Sequence, residues 1–220
     1  MSDYKIQVRL VTEAIFGSGY SIPGSVDLEI VCDELGLPYM KAKTFKGNFR
    51  ESMEEIVEIV GKEYEPVLYE LMGKGEAGVE QWRTLKFSDM RLSENIRYTL
   101  EKAISEGELE SQEIKEALTD VRSFTSIDVD GSSKQGSLRQ IRVIKKNLVF
   151  EVEIHSEREL SNEELGLLSM ATRNLRHIGA MRTRGKGELE CSFLDNQNGE
   201  YIDNTNKHIE EFVKGVKFGA

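Results

Sequence analysis

The order in which strand-like and helix-like patterns follow one another constrains the fold of this chain most. Alternating or short apolar patterns, typical of strands, occur at residues 4–10, 85–87, 148–154 and 189–193. Apolar residues recur at helical spacing over 45–60, 165–175 and 204–216. The order is therefore strand, helix, strand, insertion, strand, helix, strand. It predicts an α+β fold with a ferredoxin-like (RRM-like) split βαβ sheet, an architecture that RNA-binding domains often use.

Polar residues refine the boundaries of the two long helices. Thr44 stands just before the first apolar helical position and is predicted to be the N-cap of that helix. Ser161 and Glu164 have the spacing of a capping box at the start of the second long helix.

Two segments fall outside the core pattern. Residues 93–118 are rich in charge and predict an inserted helical region broken near Gly107. Residues 120–145 contain a polar stretch with Asp130-Gly131, a dipeptide typical of hairpin turns, and predict a protruding β-hairpin. Because the chain shows no internal repeat and no long linker, residues 1–220 are predicted to form a single domain.

Positive charge is concentrated in three windows of an acidic chain. The 220 residues carry a formal net charge of −10, which by itself argues against an anionic partner. However, residues 41–50, 134–146 and 173–186 contain no acid and hold four, five and five of the 29 lysines and arginines. A single such window usually marks a solvated face, whereas three of them favour an anionic ligand such as RNA.

The last window contains a glycine-rich loop that looks suited to a phosphate backbone. Glycine permits close approach to the main chain, and successive N–H groups in such a loop can form an anion-binding nest. A second phosphate site is predicted where basic residues flank the start of the first helix, and Arg139 begins a basic strand. The predicted RNA-binding residues are Lys46, Gly47, Arg50, Arg139, Arg182, Arg184, Gly185, Lys186 and Gly187.

Several other functional classes lack support in the sequence. The three histidines, His155, His177 and His208, have no metal-ligand neighbours at suitable spacing, and no Ser or Cys nucleophile has a recognisable setting. The two cysteines cannot build a disulfide framework. No signal-peptide pattern and no apolar run of membrane-spanning length are present, so we expect a cytoplasmic protein with no membrane partner.

Several motifs, in this order, resemble the RAMP superfamily of CRISPR proteins, and most of all the repeating backbone subunit of type III effector complexes. The family has a short V-D segment and then G-x-P followed by S-L-K-G-x-x-R, an F-S-D strand, a thumb hairpin and a final glycine-rich loop. The matching residues here are Val26-Asp27, Gly36-Leu37-Pro38 with Thr44 to Arg50, Phe87-Ser88-Asp89, Phe124 to Leu138, and Arg184 to Gly187. The chain departs from the pattern at Thr44-Phe45, where Ser-Leu is usual, and at Val129-Asp130-Gly131 in the hairpin.

The resemblance implies an RNA-binding subunit with a nuclease activity. It implies a guide crRNA, a target RNA, other copies of the same chain in a filament and other type III effector subunits as partners. It further implies that Asp27 cuts target RNA beside a neighbouring copy's thumb, with the help of a divalent metal ion, Mg²⁺ or Mn²⁺, for which Asp27 is the candidate ligand.

Three alternatives remain open at this point. The subunit could bind RNA without any activity, because the predicted chemistry depends on one carboxylate. It could be a guide-RNA processing endonuclease of the same superfamily, but such enzymes usually have a histidine close to the first helix and residues 41–60 contain none. It could also be an α+β enzyme that binds a nucleotide or a phosphorylated metabolite.

Overall fold

The computed structural model describes residues 3–21, 26–74, 84–125, 131 and 136–215. In chain order its elements are β1 (Tyr4–Leu10), α1 (Ala42–Val60), α2 (Glu65–Met72), β2 (Leu85–Phe87), β3 (Arg91–Leu92), α3 (Glu94–Ser105), α4 (Ser111–Leu118), β4 (Thr119–Phe124), β5 (Arg139–Ile144), β6 (Val149–Ser156), α5 (Asn162–Asn174), β7 (Leu189–Gln197), β8 (Glu200–Asp203) and α6 (Thr205–Gly215). Short 3₁₀ turns cover Lys62–Tyr64 and Arg182–Arg184. The predicted α+β class is confirmed.

The main sheet has the strand order β2-β6-β1-β7-β8, and β3 also pairs with β6. Each of its described pairs is antiparallel. Strand β1 is central, and Ile6 lies opposite Val152 on one side and Phe193 on the other. All three side chains are fully buried. The alternating pattern in the sequence therefore identifies the core face of the sheet.

Helix α5 packs between α1 and α6; α1 contacts β2, and α5 and α6 contact β7. Phe45 and Phe49 on α1 are fully buried, and their rings stack with centroids 6.0 Å apart. The predicted capping box at the start of α5 is confirmed, since Ser161 and Glu164 each bond the other's backbone. The Arg158 guanidinium adds a hydrogen bond of 2.6 Å to the Glu164 carboxylate.

The opposite face of the sheet carries ion pairs. Lys5 Nζ lies 2.9 Å from the Glu151 carboxylate, and Arg9 pairs with Glu190. RNA-binding domains that use the sheet surface present exposed aromatic rings for base stacking. This face instead presents paired charges.

The prediction that Thr44 caps α1 is wrong. The helix begins at Ala42, so Thr44 lies in its first turn, and Lys41 is the N-cap without a side-chain hydrogen bond. The Asp89 carboxylate instead accepts the Ala42 N–H at 2.8 Å. A carboxylate is favourable at this position because the N-terminal end of a helix carries a partial positive charge. The cap therefore comes from a residue distant in sequence.

One strand pair was not predicted. Strand β7 continues past residue 193 to Gln197 and pairs with β8 through a tight turn. Asn198 and Gly199 form that turn with φ of 56° and 98°. Asn-Gly is a strong hairpin signal, so the sequence contained the information for this element.

Strands β4 and β5 form a separate two-stranded sheet, from the pair Thr119–Ile144 to the pair Phe124–Arg139. Two isolated β-bridges, Ala14–Ile144 and Leu28–Ile141, join this small sheet to the body. The predicted Asp130-Gly131 turn lies largely outside the described residues.

Two helices precede the hairpin, where the sequence predicted a helical region. The segment between the two helices contains Gly107, which has a φ of 74°. Helix α3 has no buried side chain, whereas α4 buries Ile114. Among the described helices, none is both long and apolar enough to cross a membrane.

Candidate nucleic-acid interface

The glycine loop (residues 175–188) connects α5 to β7 and is fixed at its base. The Gly187 N–H donates to the Glu13 carbonyl at 2.8 Å, and the Ala180 N–H donates to the Ile15 carbonyl at 3.0 Å. Gly187 has a φ of 75°, and a Cβ atom on it would lie 1.9 Å from the Ile178 carbonyl oxygen. No other residue type fits there. The base of the loop therefore packs backbone against backbone.

The tip of the loop is open. A 3₁₀ turn over Arg182–Arg184 stands between Met181 and Gly185, which have φ of 61° and 71°. A Cβ atom on Gly185 would meet nothing within 4 Å. Arg182, Arg184 and Gly185 are all exposed.

Four backbone N–H groups near the tip of the loop already donate to protein carbonyls. Those of residues 184, 185 and 186 donate to the carbonyls of Met181 or Arg182, and that of residue 187 donates to Glu13. The predicted anion-binding nest is therefore wrong for these four donors. Phosphate contacts at these four positions would have to come from side chains.

Two guanidinium groups of the loop are unpaired. Among the described arginines, only Arg176 and Arg184 have a side chain without a hydrogen bond or ion pair to another described residue. The Arg182 guanidinium lies 3.7 Å from the Glu51 carboxylate, and both side chains are largely exposed. Since every other described arginine has a partner, the unpaired positive charge of this residue type is concentrated in the glycine loop.

Lys186 is placed differently from its neighbours. Its Nζ lies 2.5 Å from the Glu13 carboxylate, and its side chain is only 19% exposed. Glu13 also accepts hydrogen bonds of 3.0 and 2.5 Å from Arg122 on β4. These bonds, first from Arg122 and then from Lys186, hold the pKa of Glu13 below its usual range. Glu13 thus joins the glycine loop to the hairpin.

The second and third turns of α1 hold the second predicted phosphate site. Lys46 Nζ lies 5.8 Å from the centroid of the Phe87 ring, and Gly47 is exposed with open space around it. Arg50 is only 19% exposed; it bonds Glu54 at 2.7 Å and the Gly73 carbonyl at 2.5 Å, so it joins α1 to the end of α2.

The helix N-terminus itself is occupied by protein. Burial disfavours the charged form of Asp89, but the hydrogen bonds from Ala42 and Arg91 outweigh it and lower its pKa. A carboxylate that stays ionised there takes the place of an external anion.

A cleft of about 180 Å³ separates α1 from the glycine loop. Arg176, His177 and Arg182 line one side, and Glu51 and Glu55 line the other. Arg176 and His177 were not among the predicted site residues. Arg176 lies in the acid-free window 173–186, so the charge pattern pointed to it, whereas the position of His177 beside the cleft required the fold.

Asp27 lies beside the start of β5, at the end of the β4–β5 ladder nearest the turn. Its carboxylate accepts the Gln140 N–H at 2.7 Å and lies 3.6 Å from the Arg139 guanidinium. The Asp27 side chain is 45% exposed and that of Arg139 is 67% exposed. The structure therefore places the predicted catalytic residue, Asp27, next to a predicted RNA-binding residue, Arg139, which lies on the hairpin of the same chain.

The site offers one carboxylate to a metal ion. Within the described part of the chain, no group of three or more His, Cys, Asp or Glu residues is arranged to hold a metal. Asp27 fits an ion that takes one protein oxygen and completes its shell with water and phosphate oxygens, as Mg²⁺ does.

A buried ion-pair cluster supports the Asp27 segment. We call Glu29, Arg142 and Lys115 the Glu29 cluster. Glu29 is 7% exposed, and its carboxylate lies 3.0 Å from Arg142 on β5 and 3.4 Å from Lys115 on α4. The sequence did not predict this cluster, because a buried acid cannot be distinguished from a surface acid before the fold brings its partners next to it.

The sequence matches the family model of the RAMP superfamily over residues 7–190. A comparison with curated protein sequences found no match. One similar solved chain belongs to the cryo-EM structure of the Type III-B Cmr-beta bound to cognate target RNA, with a TM-score of 0.63 and 14% identity, covering 88% of this chain and 97% of that one. Another belongs to Type III-B Cmr-beta in the apo state, with a TM-score of 0.64 and 15% identity, covering 93% and 98%. At such identities the likeness shows a shared fold, whereas the family match covers most of the sequence. This chain belongs to the RAMP superfamily.

Proposed function

We propose that this protein is a guide-RNA-binding backbone subunit of a type III CRISPR ribonucleoprotein in the cytoplasm. Its partners would be the guide crRNA, target RNA, other copies of itself and other type III effector subunits. The observation that carries the proposal is the exposed glycine loop, where Arg176 and Arg184 have no described partner in a chain of net charge −10. An acidic protein that leaves guanidiniums unpaired on one loop has a surface for an anion there.

The fold supports the same assignment. The strand order β2-β6-β1-β7, with α1 and α5 as the connecting helices, agrees with a ferredoxin-like split βαβ sheet. The similar solved chains come from Type III-B Cmr-beta, in one case bound to cognate target RNA. In this assignment the β4–β5 hairpin is the thumb.

The phosphate backbone of the guide would run across the glycine loop and the second turn of α1. Arg176, Arg182 and Arg184 would supply charge and forked donors, and Lys46 would add a point charge. Gly47 and Gly185 leave open space for close approach of the RNA backbone. These contacts fix position and affinity without reading sequence.

We further propose that Asp27 is needed for cutting target RNA. Its carboxylate is oriented by the Gln140 N–H, and its exposed part can orient a ribose 2′-hydroxyl for attack on the adjacent phosphate. Arg139 stands where it can hold that phosphate. A Mg²⁺ or Mn²⁺ ion held by Asp27 would stabilise negative charge on the phosphate under attack.

An inactive structural subunit is the second candidate. It is favoured by the single carboxylate, which already has a backbone donor and a nearby guanidinium. The two candidates share the RNA interface and differ only in the role of Asp27.

The test of RNA binding is the RNA that accompanies the purified full-length chain. We expect RNA of uniform, stepped lengths to copurify. A preparation free of RNA that also fails to bind added guide would contradict the proposal and favour an enzyme of small phosphorylated substrates.

A further inference from the structure

Tyr20 presents an exposed aromatic ring on a fixed backbone. The residue is 76% exposed, and within the described part of the chain no hydrogen bond or ring contact involves its side chain. Its N–H donates to Ser18 Oγ at 3.1 Å, and its carbonyl accepts the Glu29 N–H at 3.0 Å. A single exposed ring is ordinary on a protein surface, but the backbone that carries this ring is held by hydrogen bonds through both its N–H and its carbonyl, which reduces the ordering cost of a contact.

Glu29, which donates its N–H to the Tyr20 carbonyl, is itself firmly held. Glu29 belongs to the buried Glu29 cluster, which ties it to β5 and α4. The Ser18 N–H also donates to the Glu29 carbonyl, at 2.9 Å. Tyr20 therefore stands on a part of the loop that is joined through Glu29 to β5 and α4.

Asp27 belongs to the same hydrogen-bonded segment as Glu29. It lies two residues before Glu29, and its N–H donates to the Gln140 carbonyl at 2.8 Å. Arg139, beside Asp27, is exposed as well. One network of backbone hydrogen bonds beside the start of β5 thus carries a carboxylate, a guanidinium and an aromatic ring.

We propose that Tyr20 is a stacking platform for an unpaired RNA base of the strand that passes Asp27. This inference rests on the proposed function and adds a base contact to its phosphate and ribose contacts. An aromatic face binds any unpaired base, because every base has a π-face, and the contact needs no sequence preference. Stacking involves no counterion release, so its loss lowers affinity without changing salt dependence.

The test compares variants of the full-length chain for binding of a labelled single-stranded RNA over a range of salt concentrations. We expect Tyr20→Leu to weaken binding on the order of tenfold and Tyr20→Phe to bind like wild type. Tyr98→Leu is the matched control, because Tyr98 is 71% exposed but lies on α3. The salt slope of Tyr20→Leu should equal that of wild type, whereas Arg184→Gln should lower its magnitude by about 0.7.

A spectroscopic arm reports the contact directly. In Tyr20→Trp, RNA should quench indole fluorescence beyond the wild-type signal of Trp82, whereas Tyr98→Trp should add no quenching. Unchanged affinity of Tyr20→Leu together with weakened Arg184→Gln would overturn the stacking role and leave the proposed function standing. Equal losses in Tyr20→Leu and Tyr20→Phe would overturn it too, since the contact would then be the hydroxyl. Failure of wild type to bind RNA would overturn the proposed function itself.

Discussion

At the scale of single residues, the basic side chains of the glycine loop differ in burial and in pairing. Arg184 is exposed and has no described partner, whereas Lys186 is mostly buried against Glu13. The sequence assigned RNA binding to both, because charge and spacing are the same for an exposed and a paired cation. The structure separates them by burial.

We expect Arg184→Gln and Lys186→Gln to differ in what they change. Arg184→Gln should weaken RNA binding and lower the magnitude of the salt slope by about 0.7, as for one lost phosphate contact on a single strand. Lys186→Gln should leave that slope unchanged and lower the free energy of unfolding by about 1–2 kcal/mol, through the lost charge-assisted hydrogen bond. RNA titrations and urea denaturation of both variants measure the two effects. A lower slope in Lys186→Gln would show that Lys186 turns toward RNA in the complex.

Asp27→Asn tests the chemistry with the geometry preserved. The amide oxygen can still accept the Gln140 N–H, so hairpin anchoring, guide binding and assembly should survive. Metal-dependent cleavage of a matched target RNA should be lost, because a neutral amide is a weaker ligand for Mg²⁺ than a carboxylate and does not accept a proton. The assay uses complex reconstituted with either form, and a chelator should mimic the variant. Equal cleavage by both forms would move the active site away from Asp27.

At the scale of elements, two acids connect the hairpin to the body. Glu13 binds Arg122 on β4, and Glu29 binds Arg142 on β5. The sequence predicted a hairpin at about residues 120–145 but did not indicate which contacts hold it against the body. The reason is that both connections join residues more than a hundred positions apart, and local patterns contain no information on such pairs.

Glu29→Gln should destabilise the protein strongly. It leaves two mostly buried cations, Arg142 and Lys115, without their carboxylate, and removing one partner of a buried pair costs on the order of 3 kcal/mol. Glu157→Gln is the control, since Glu157 pairs with Lys86 on the surface and its loss should leave the unfolding midpoint unchanged. Similar midpoints for both variants would show that the Glu29 cluster is not a structural support.

The Glu13 connection should make stability depend on pH in acid. The folded protein lowers the pKa of Glu13 below its ordinary value of 4.5, first through the hydrogen bond from Arg122. The stabilisation is therefore complete above pH 4.5 and is lost as the pH falls through the lower, folded-state pKa. Glu13→Gln should be less stable than wild type at neutral pH, and the difference should shrink by about pH 3. Urea denaturation at both pH values measures it. A difference that does not shrink in acid would contradict this role.

At the scale of the whole molecule, the alternating patterns predicted the sheet and the helices that cover it. The class, the core strands and the capping box of α5 followed from period and spacing alone. The cap of α1 did not, because Asp89 is brought to Ala42 only by the fold. The candidate site was predicted as a set of cations, but the cleft, the unpaired state of Arg176 and the setting of Asp27 beside Arg139 depend on contacts between distant segments.

The central claim is that copies of this acidic chain bind along one RNA. The most direct measurement is native mass spectrometry of the full-length protein mixed with single-stranded guide RNAs of increasing length. We predict that the number of bound copies rises in regular steps with RNA length, and that an Arg176→Gln, Arg184→Gln double variant binds fewer copies at the same concentration. One bound copy whatever the length, or no bound RNA at all, would contradict the account.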